Sequence, residues 1–307
     1  MLDPAQLAAL AAIHRRGSLE GAAAVLGVTP SAISQRLKAL EDRVGCLLIR
    51  RGSPCTATAP GLRLIRHHDE VAALEAAVAQ DLRIGGAGPV TLRLAVNADS
   101  LATWVIPALA AVDGLLFDLV IDDQAHSQDW LRRGEVAAAV TSHPGPLQGC
   151  ETVPLGRLRY HATASPGFMT RWMPDGADRA AMARAPGLTF SDKDTLQGDW
   201  LRQTFGRQIA FPTHRIASSH GFVDAALAGL GWGMNPAPLV ANHMGVGRLV
   251  ELVPGTALDV PLYWQFTRQS APVLAPVTPQ SSTGPPRNCV TRVAKNLRGV
   301  LAGTAQW

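Results

Sequence analysis

Residues 17–41 constrain this chain most, because they read as two short helices joined by a tight turn, with one polar face left over. Ser18 is a good N-cap for a helix running to Leu26, and Gly27 ends it. Thr29 followed by Pro30 caps and opens the next helix, since a proline at the first helical position loses no needed donor. Within this second helix Ile33, Leu37, Leu40 and Val44 recur at helical spacing and face a core, while Ser31, Ser34, Gln35 and Lys38 fall on the opposite side. Small hydroxyls and an amide at the start of a helix approach base edges, and Lys and Arg meet phosphates. The face therefore has the chemistry to lie in a DNA major groove. The same spacing also describes a capped amphipathic helix whose polar side is merely solvated.

The neighbouring segments bear on that choice. Asp3 to His14 reads as a preceding helix with Leu7, Leu10 and Ala11 on one face. From Cys46 to Thr58, paired arginines, Arg50 and Arg51, stand before a Gly-Ser-Pro turn, as in a two-stranded wing. Residues 1–66 hold nine Arg or Lys against four acids, a surplus of five that exceeds the +4 of the whole chain. The positive field thus sits at the N-terminal end, where a nucleic acid would dock.

A chain of 307 residues, 47% hydrophobic, has room for about two domains with their own cores. No N-terminal apolar segment resembles a signal peptide and no run approaches the ~18 uncharged apolar residues of a membrane span, so a soluble cytoplasmic protein without a membrane partner is expected. Cys46, Cys55, Cys150 and Cys289 have neither metal-ligand nor disulfide spacing and read as reduced thiols. His67-His68-Asp69-Glu70 looks metal-like, but consecutive helical residues point in different directions. Ser218-Ser219-His220 lacks a nucleophile elbow, and Gly229-Leu-Gly-Trp-Gly233 lacks the strand-turn-helix setting of a dinucleotide loop. No catalytic residue, metal site or cofactor is therefore assigned, and an enzyme is not expected.

Thr58 to Arg83 reads as one helix whose seam, Leu62, Ile65, Asp69, Ala72, Ala76 and Ala79, is apolar except at Asp69. A second copy is the economical partner for it, and packing within the same chain is the alternative. Gly85 to Pro89 then marks a flexible joint. Beyond it strand and helix patterns alternate: Thr91–Val96, Ser100–Ala111, Leu115–Ile121, Ser127–Arg133, Val136–Val140, Leu158–Thr163, Gly187–Phe190, Leu196–Phe205, Arg215–Ala217, His220–Ala228, Trp232–Met234 and Leu262–Phe266. Such alternation predicts parallel sheets covered by helices, with ligands beyond the carboxyl ends of the strands.

Ala22-Ala23 through Leu40-Glu41 carries the pattern Ala-Ala-x-x-Leu-x-Val-Thr/Ser-x-Ser-Ala-Ile/Val-Ser-x-x-Ile/Leu-x-x-Leu-Glu, and so resembles the winged helix-turn-helix of LysR-type transcriptional regulators. Leu94 to Trp104, Leu131-Arg-Arg-Gly-Glu-Val136 and Leu262-Tyr-Trp264 look like the ArgP/LysG group, also labelled chromosome-initiation-inhibitor-like proteins. The resemblance runs to about Arg268. It implies a homodimer or homotetramer on promoter DNA and an α/β effector domain of periplasmic-binding-protein type with two Rossmann-like subdomains. It also implies lysine or arginine as co-effector, controlling genes of basic amino-acid export or metabolism.

On that footing the domains are expected at 1–58 (winged helix-turn-helix, all-α with a small β wing), 59–84 (linker and dimerisation helix), 85–90 (hinge) and 91–268 (effector domain). Within the last, subdomain I takes 91–160 with 265–268, and subdomain II takes 161–264. Residues 269–307 depart from the family: 270–286 are rich in Pro, Ser, Thr and Gly, and Val290–Leu301 reads as a helix with Arg292, Lys295 and Arg298 on its basic face. An insertion, a disordered link or a shifted reading frame would each give this break in character.

The DNA-contacting residues are expected to be Pro30, Ser34 and Gln35 at the bases, Ser31, Arg36, Lys38, Arg50 and Arg51 at phosphates, and Thr29 beside them at the start of the helix. A basic amino acid needs a carboxylate for its side-chain cation, another acceptor for its α-ammonium and donors for its own carboxylate. Asp99 and Ser100 in the first strand-to-helix turn, Asp122 and Asp123 after the second strand, Thr141 and Ser142 after the third, and Asp192 in the second subdomain are the candidates. Each carboxylate has a plainer reading as a helix cap or a solvated loop residue. The whole reads as an activator, with RNA polymerase as a further candidate partner. The rivals are an amino-acid-binding protein whose N-terminal module serves assembly only, or a LysR-type regulator with a different effector.

Overall fold

The computed structural model describes residues 2–81, 90–122, 127–145, 147–275 and 277–278. Asp123, residues 82–89 of the expected linker and hinge, and the tail beyond 278 lie outside the described residues.

Local chemistry sets the first three helices. Asp3 accepts the Ala5 and Gln6 amides at the start of α1 (Pro4–Arg16), Ser18 accepts the Gly21 amide at α2 (Leu19–Leu26), and Thr29 accepts the Ala32 amide at α3 (Pro30–Val44). Each helix ends on a left-handed glycine, Gly17, Gly27 and Gly45, a conformation that costs a glycine little. Leu10, Ile13, Ala22, Ile33, Leu37 and Leu40 close a core between them. Val44, expected in that core, is 39% exposed, because it is the last helical residue and the chain turns away at Gly45. The wing is an antiparallel pair, β1 (Ile49–Arg50) and β2 (Thr56–Ala57). α4 (Ala59–Asp81) starts directly against it. A Cβ on Gly61 would stand 2.2 Å from the Leu48 carbonyl oxygen, so only glycine allows this approach.

The seam expected on α4 divides. Ile65 is buried in the N-terminal core and Asp69 pairs with Arg15 of α1, so this part packs within the chain. Among the described residues, the large apolar side chains exposed on α4 are Val71, Leu74 and Val78, spaced by three and four.

The second unit begins with β3 (Val90–Val96) and a helical run made of α5 (Ala98–Ser100), a π-turn (Leu101–Val105) and α6 (Ile106–Ala110). β4 (Leu115–Ile121), α7 (Ser127–Arg133) and β5 (Ala138–Thr141) follow. β6 (Cys150–Ala164) then carries the chain into a second half with α8 (Pro166–Trp172), α9 (Arg179–Arg184), β7 (Gly187–Thr189), α10 (Leu196–Phe205) and β8 (Thr213–Arg215). That half continues with α11 (Ser219–Leu227), β9 (Gly233–Pro236), α12 (Ala237–Gly245) and β10 (Val250–Glu251). β11 (Leu258–Thr267) returns to the first half and ends in a 3-10 turn (Arg268–Ser270) and α13 (Ala271–Leu274).

The strand order is β10-β6-β11-β5-β3-β4, with β9 also on β6. β3 is parallel to β4 and β5, as the alternation predicts, and β7 is parallel to β8. The two crossing strands are antiparallel: β6 pairs with β11 from Cys150↔Thr267 to Tyr160↔Leu258, and one end of β11 pairs with β5. A chain that leaves one half and comes back must run the second crossing against the first, which makes the sheet mixed. This is an α/β periplasmic-binding-protein-like domain of two Rossmann-like halves behind a winged helix-turn-helix. A crevice opens where the strands of the first half end opposite the second.

Candidate functional site

Two surfaces gather the expected site residues. On the first, Thr29, Pro30, Ser31, Gln35 and Lys38 are exposed along the outer face of α3, Ser34 and Arg36 are half-buried, and Arg50 and Arg51 are exposed on the wing. The Thr29 hydroxyl is already used as the helix cap. The wing is tied to the helices at both strands. Glu41 Oε1 near the end of α3 accepts the amides of Leu48 at 2.8 Å and Ile49 at 3.3 Å, and His14 Nδ1 near the end of α1 accepts the Ala57 amide at 3.3 Å. Burial, assisted by Arg93, pushes the His14 pKa below the ordinary histidine value, which keeps Nδ1 available as an acceptor. Neither Glu41 nor His14 stands out in the sequence as a wing anchor.

The second surface is a cleft of about 510 Å³, open at its mouth, between the two halves of the α/β domain. Asn97, Ala98, Asp99 and Asp122 line it from the first half, and Phe190, Asp194, Leu196, Ser219, Phe222, Met234 and Pro236 from the second. Asn97 caps the helical run by accepting the Ser100 amide at 2.9 Å, which aims the first turn at the cleft. The Asp99 carboxylate accepts the Tyr160 hydroxyl from β6 at 2.9 Å and the Ser219 hydroxyl from α11 at 2.6 Å. Asp122 Oδ2 accepts the Trp130 indole N–H at 2.8 Å, and Lys193 Nζ stands 3.9 Å from Oδ1. Asp194 accepts the Phe190 and Leu196 amides and so folds the loop ahead of α10.

Of the seven effector candidates, Asp99 and Asp122 stand in this cleft. Ser100 does not: one residue further along the helical run it turns inward, and its hydroxyl is fully buried. Thr141 is buried in the sheet, where its hydroxyl oxygen accepts the His143 amide. Ser142 lies in the loop behind it, which Gln265 fixes by donating to the carbonyls of His143 and Gly145, and it is not among the lining residues. Asp192 points away, 77% exposed and paired with Arg215 at 2.5 Å. Asp194, two residues on, takes the place in the cleft wall that Asp192 was expected to fill. Ser219, discounted above as a nucleophile, lines the cleft as a donor to Asp99.

Around the His67–Glu70 cluster, Asp69 pairs with Arg15 and Glu70 with Arg66 at 3.7 Å. Among the described residues no group of three or more His, Cys, Asp or Glu is placed to hold a metal ion, and no helix is long and apolar enough to cross a membrane.

Residues 4–62 match the family of bacterial regulatory helix-turn-helix proteins of the lysR family, and residues 87–277 match the LysR substrate binding domain. The chain is 43% identical over 280 residues to the HTH-type transcriptional regulator LysG of Mycobacterium tuberculosis, covering 90% of this chain and 91% of that one. It superposes on the crystal structure of ArgP from Mycobacterium tuberculosis with a TM-score of 0.77 and 39% identity, over 99% of this chain and 98% of that one. Full-length LysG from Corynebacterium glutamicum with bound effector Arg gives a TM-score of 0.66 and 34% identity, over 98% and 99%.

Proposed function

The chain belongs to the LysR family of bacterial regulators, DNA-binding transcriptional regulators rather than enzymes, and from that premise we propose that it is an activator responsive to lysine or arginine. Its targets on this reading are genes of basic amino-acid export or metabolism, served in the cytoplasm together with RNA polymerase. The observation that carries the ligand is the cleft lining, to which Asp99, Asp122 and Asp194 bring three carboxylates. Carboxylates gathered in a part-buried site favour a cationic guest, because buried charges need pairing. The relative from Corynebacterium glutamicum, solved with Arg as its effector, points the same way.

Asp99 takes the ligand α-ammonium and Asp122 takes its side-chain cation. The amides opening the helical run at 98–99 receive its carboxylate, where helix N-termini carry partial positive charge. Asp194 keeps its role in shaping the loop.

At the other end of the chain, Pro30, Ser34 and Gln35 read bases, while Ser31, Arg36, Lys38, Arg50 and Arg51 hold phosphates and Thr29 caps the helix that presents them. The module at 1–58 does this work, 59–84 joins two copies along Val71, Leu74 and Val78, 85–90 is the hinge, 91–268 holds the effector and 269–307 is the atypical tail. Calorimetry on the purified chain with L-lysine, L-arginine and L-leucine tests the ligand, and a reporter fused to a neighbouring exporter promoter tests the activator role. Uptake of leucine alone, or repression of the reporter by the bound amino acid, would overturn the corresponding part.

A further inference from the structure

α4 presents three faces. Ile65 and Asp69 turn to the N-terminal module, and Val71, Leu74 and Val78 are exposed. Arg66 and Glu70, one turn apart and paired at 3.7 Å, form a third line, on the side where α4 meets the α/β domain of its own chain. The Arg66 side chain lies over Gly134, the residue that ends α7: a Cβ there would stand 2.8 Å from Arg66 Cδ and Nη1 and 3.1 Å from Cζ. Gly134 has φ +70° and closes the helix in a double turn, its own amide donating to the Leu131 carbonyl and the Glu135 amide to that of Trp130, each at 2.9 Å. Glycine is thus needed here twice, once for the backbone and once to seat the arginine.

Contacts run from this seat in both directions. Trp130, one turn back on α7, donates its indole N–H to Asp122 Oδ2 in the cleft wall at 2.8 Å. On the other side, Ile65 beside Arg66 shares a core with Ile33, Leu37 and Leu40 of α3, the helix that carries the DNA face. We propose that the seat of Arg66 on Gly134 is the joint through which a basic amino acid held in the cleft is felt by the DNA-binding module, with Arg66 as a positioning residue that belongs to neither binding surface. The proposal deepens the reading above and rests on its placing of the ligand's side-chain cation at Asp122. A cation taken by that carboxylate bears on Trp130 and so on the end of α7, and close-packed groups pass a shift on rather than absorb it. α4 receives it at Arg66 and hands it to α3 through Ile65. By linkage, DNA held at α3 changes the affinity of the cleft by the same factor.

The coupling is read as the ratio of amino-acid affinities with and without a duplex of the neighbouring exporter promoter, by calorimetry of the full-length chain with L-arginine and with L-lysine. The wild type should give a ratio about fivefold or more from unity for the amino acid it binds. Arg66→Met keeps an apolar stem and drops the guanidinium, and should bring that ratio about three- to tenfold closer to unity. Gly134→Ala, which pushes the guanidinium off its seat, should do the same, and the double variant should do no more than either single one. In Arg66→Met, amino-acid affinity without DNA and DNA affinity without amino acid should each stay within about twofold of wild type, which a general loss of structure would not allow. An unchanged ratio in Arg66→Met overturns the joint, and so do effects that add in the double variant. A ratio of unity in a wild type that binds either amino acid overturns the joint and leaves the basic-ligand reading intact. If the wild type takes up neither amino acid, the basic-ligand reading fails and the joint with it, a result distinguishable from uptake without coupling.

Discussion

The Ser219 hydroxyl donates to Asp99 Oδ1 at 2.6 Å across the cleft, joining the first turn of one half of the α/β domain to the start of α11 in the other. Tyr160, on the strand that crosses between the halves, holds the second oxygen. Asp99 is thus set by a group from each side, and a cation bound to it would be felt by both halves. Asp99→Asn removes the charge and should weaken L-arginine and L-lysine binding by about 10- to 100-fold, the scale of a hydrogen bond to a charged group. Ser219→Ala leaves the charge and should cost less. Calorimetry that found Ser219→Ala the more damaging of the two would assign the ligand to the second half instead.

On the DNA face, groups that meet phosphates and groups that meet bases separate by their salt dependence. Lys38→Ala or Arg50→Ala should weaken binding to specific and random duplexes alike and lower the slope of log affinity against log salt by about 1. Gln35→Ala should leave that slope unchanged and cost about 1–3 kcal/mol at the cognate site alone. Fluorescence anisotropy over a salt series decides, and equal losses on both duplexes for both classes would refute the division.

The helix-turn-helix was legible because its signals are local: Ser18 and Thr29 reach amides three residues on, and the stopping glycines follow directly. β6 was legible only over Leu158–Thr163, since Pro154 and Gly156 read as breakers in isolation, whereas pairing with β11 carries the strand through them. α12 was missed for a related reason. Its Pro236-Ala-Pro opening looks like a loop, yet prolines in a first turn suit a helix start. In the cleft, Asp99 and Asp122 could be placed because they sit where strands end. Tyr160 and Ser219 could not, being 61 and 120 residues from Asp99 in sequence. The choice between Asp192 and Asp194 turns on which carboxylate folds back onto the Phe190 and Leu196 amides, a matter of loop curl that residue type does not reveal.

Glu41 offers a test of the wing that does not touch the DNA face. Its single oxygen serves the amides of Leu48 and Ile49 just before and within β1. Glu41→Ala should free both and destabilise the N-terminal module by about 1–3 kcal/mol, the cost of stranding part-buried donors. Hydrogen exchange at those two amides should accelerate ahead of the rest of α3. Unchanged protection there would mean that packing of Leu48 and Ile49, both buried, holds the wing without the carboxylate.

His14 links the same wing to pH. Its Nδ1 can accept the Ala57 amide only while the ring is neutral, and burial, then Arg93, favours that form; Glu135 opposes it, and Arg15 and Asp69 add still smaller effects of opposite sign. The folded chain therefore takes up a proton at lower pH than the unfolded chain, whose histidines titrate near 6.5. Above that value neither state is protonated and the residue adds no pH dependence. As pH falls below it, the unfolded state binds more protons and stability declines. His68, whose pKa burial also lowers, acts in the same direction, so His14→Gln should remove only part of the slope. Glutamine can still accept from Ala57, which separates loss of the proton from loss of the hydrogen bond. Melting of wild type and His14→Gln between pH 7.5 and 5.5, a range set by the ordinary histidine value of about 6.5, should show the smaller decline in the variant. Parallel curves would mean that His14 stays unprotonated in both states or that Ala57 holds its place unaided, and wing-dependent DNA binding would then show no acid sensitivity through this residue.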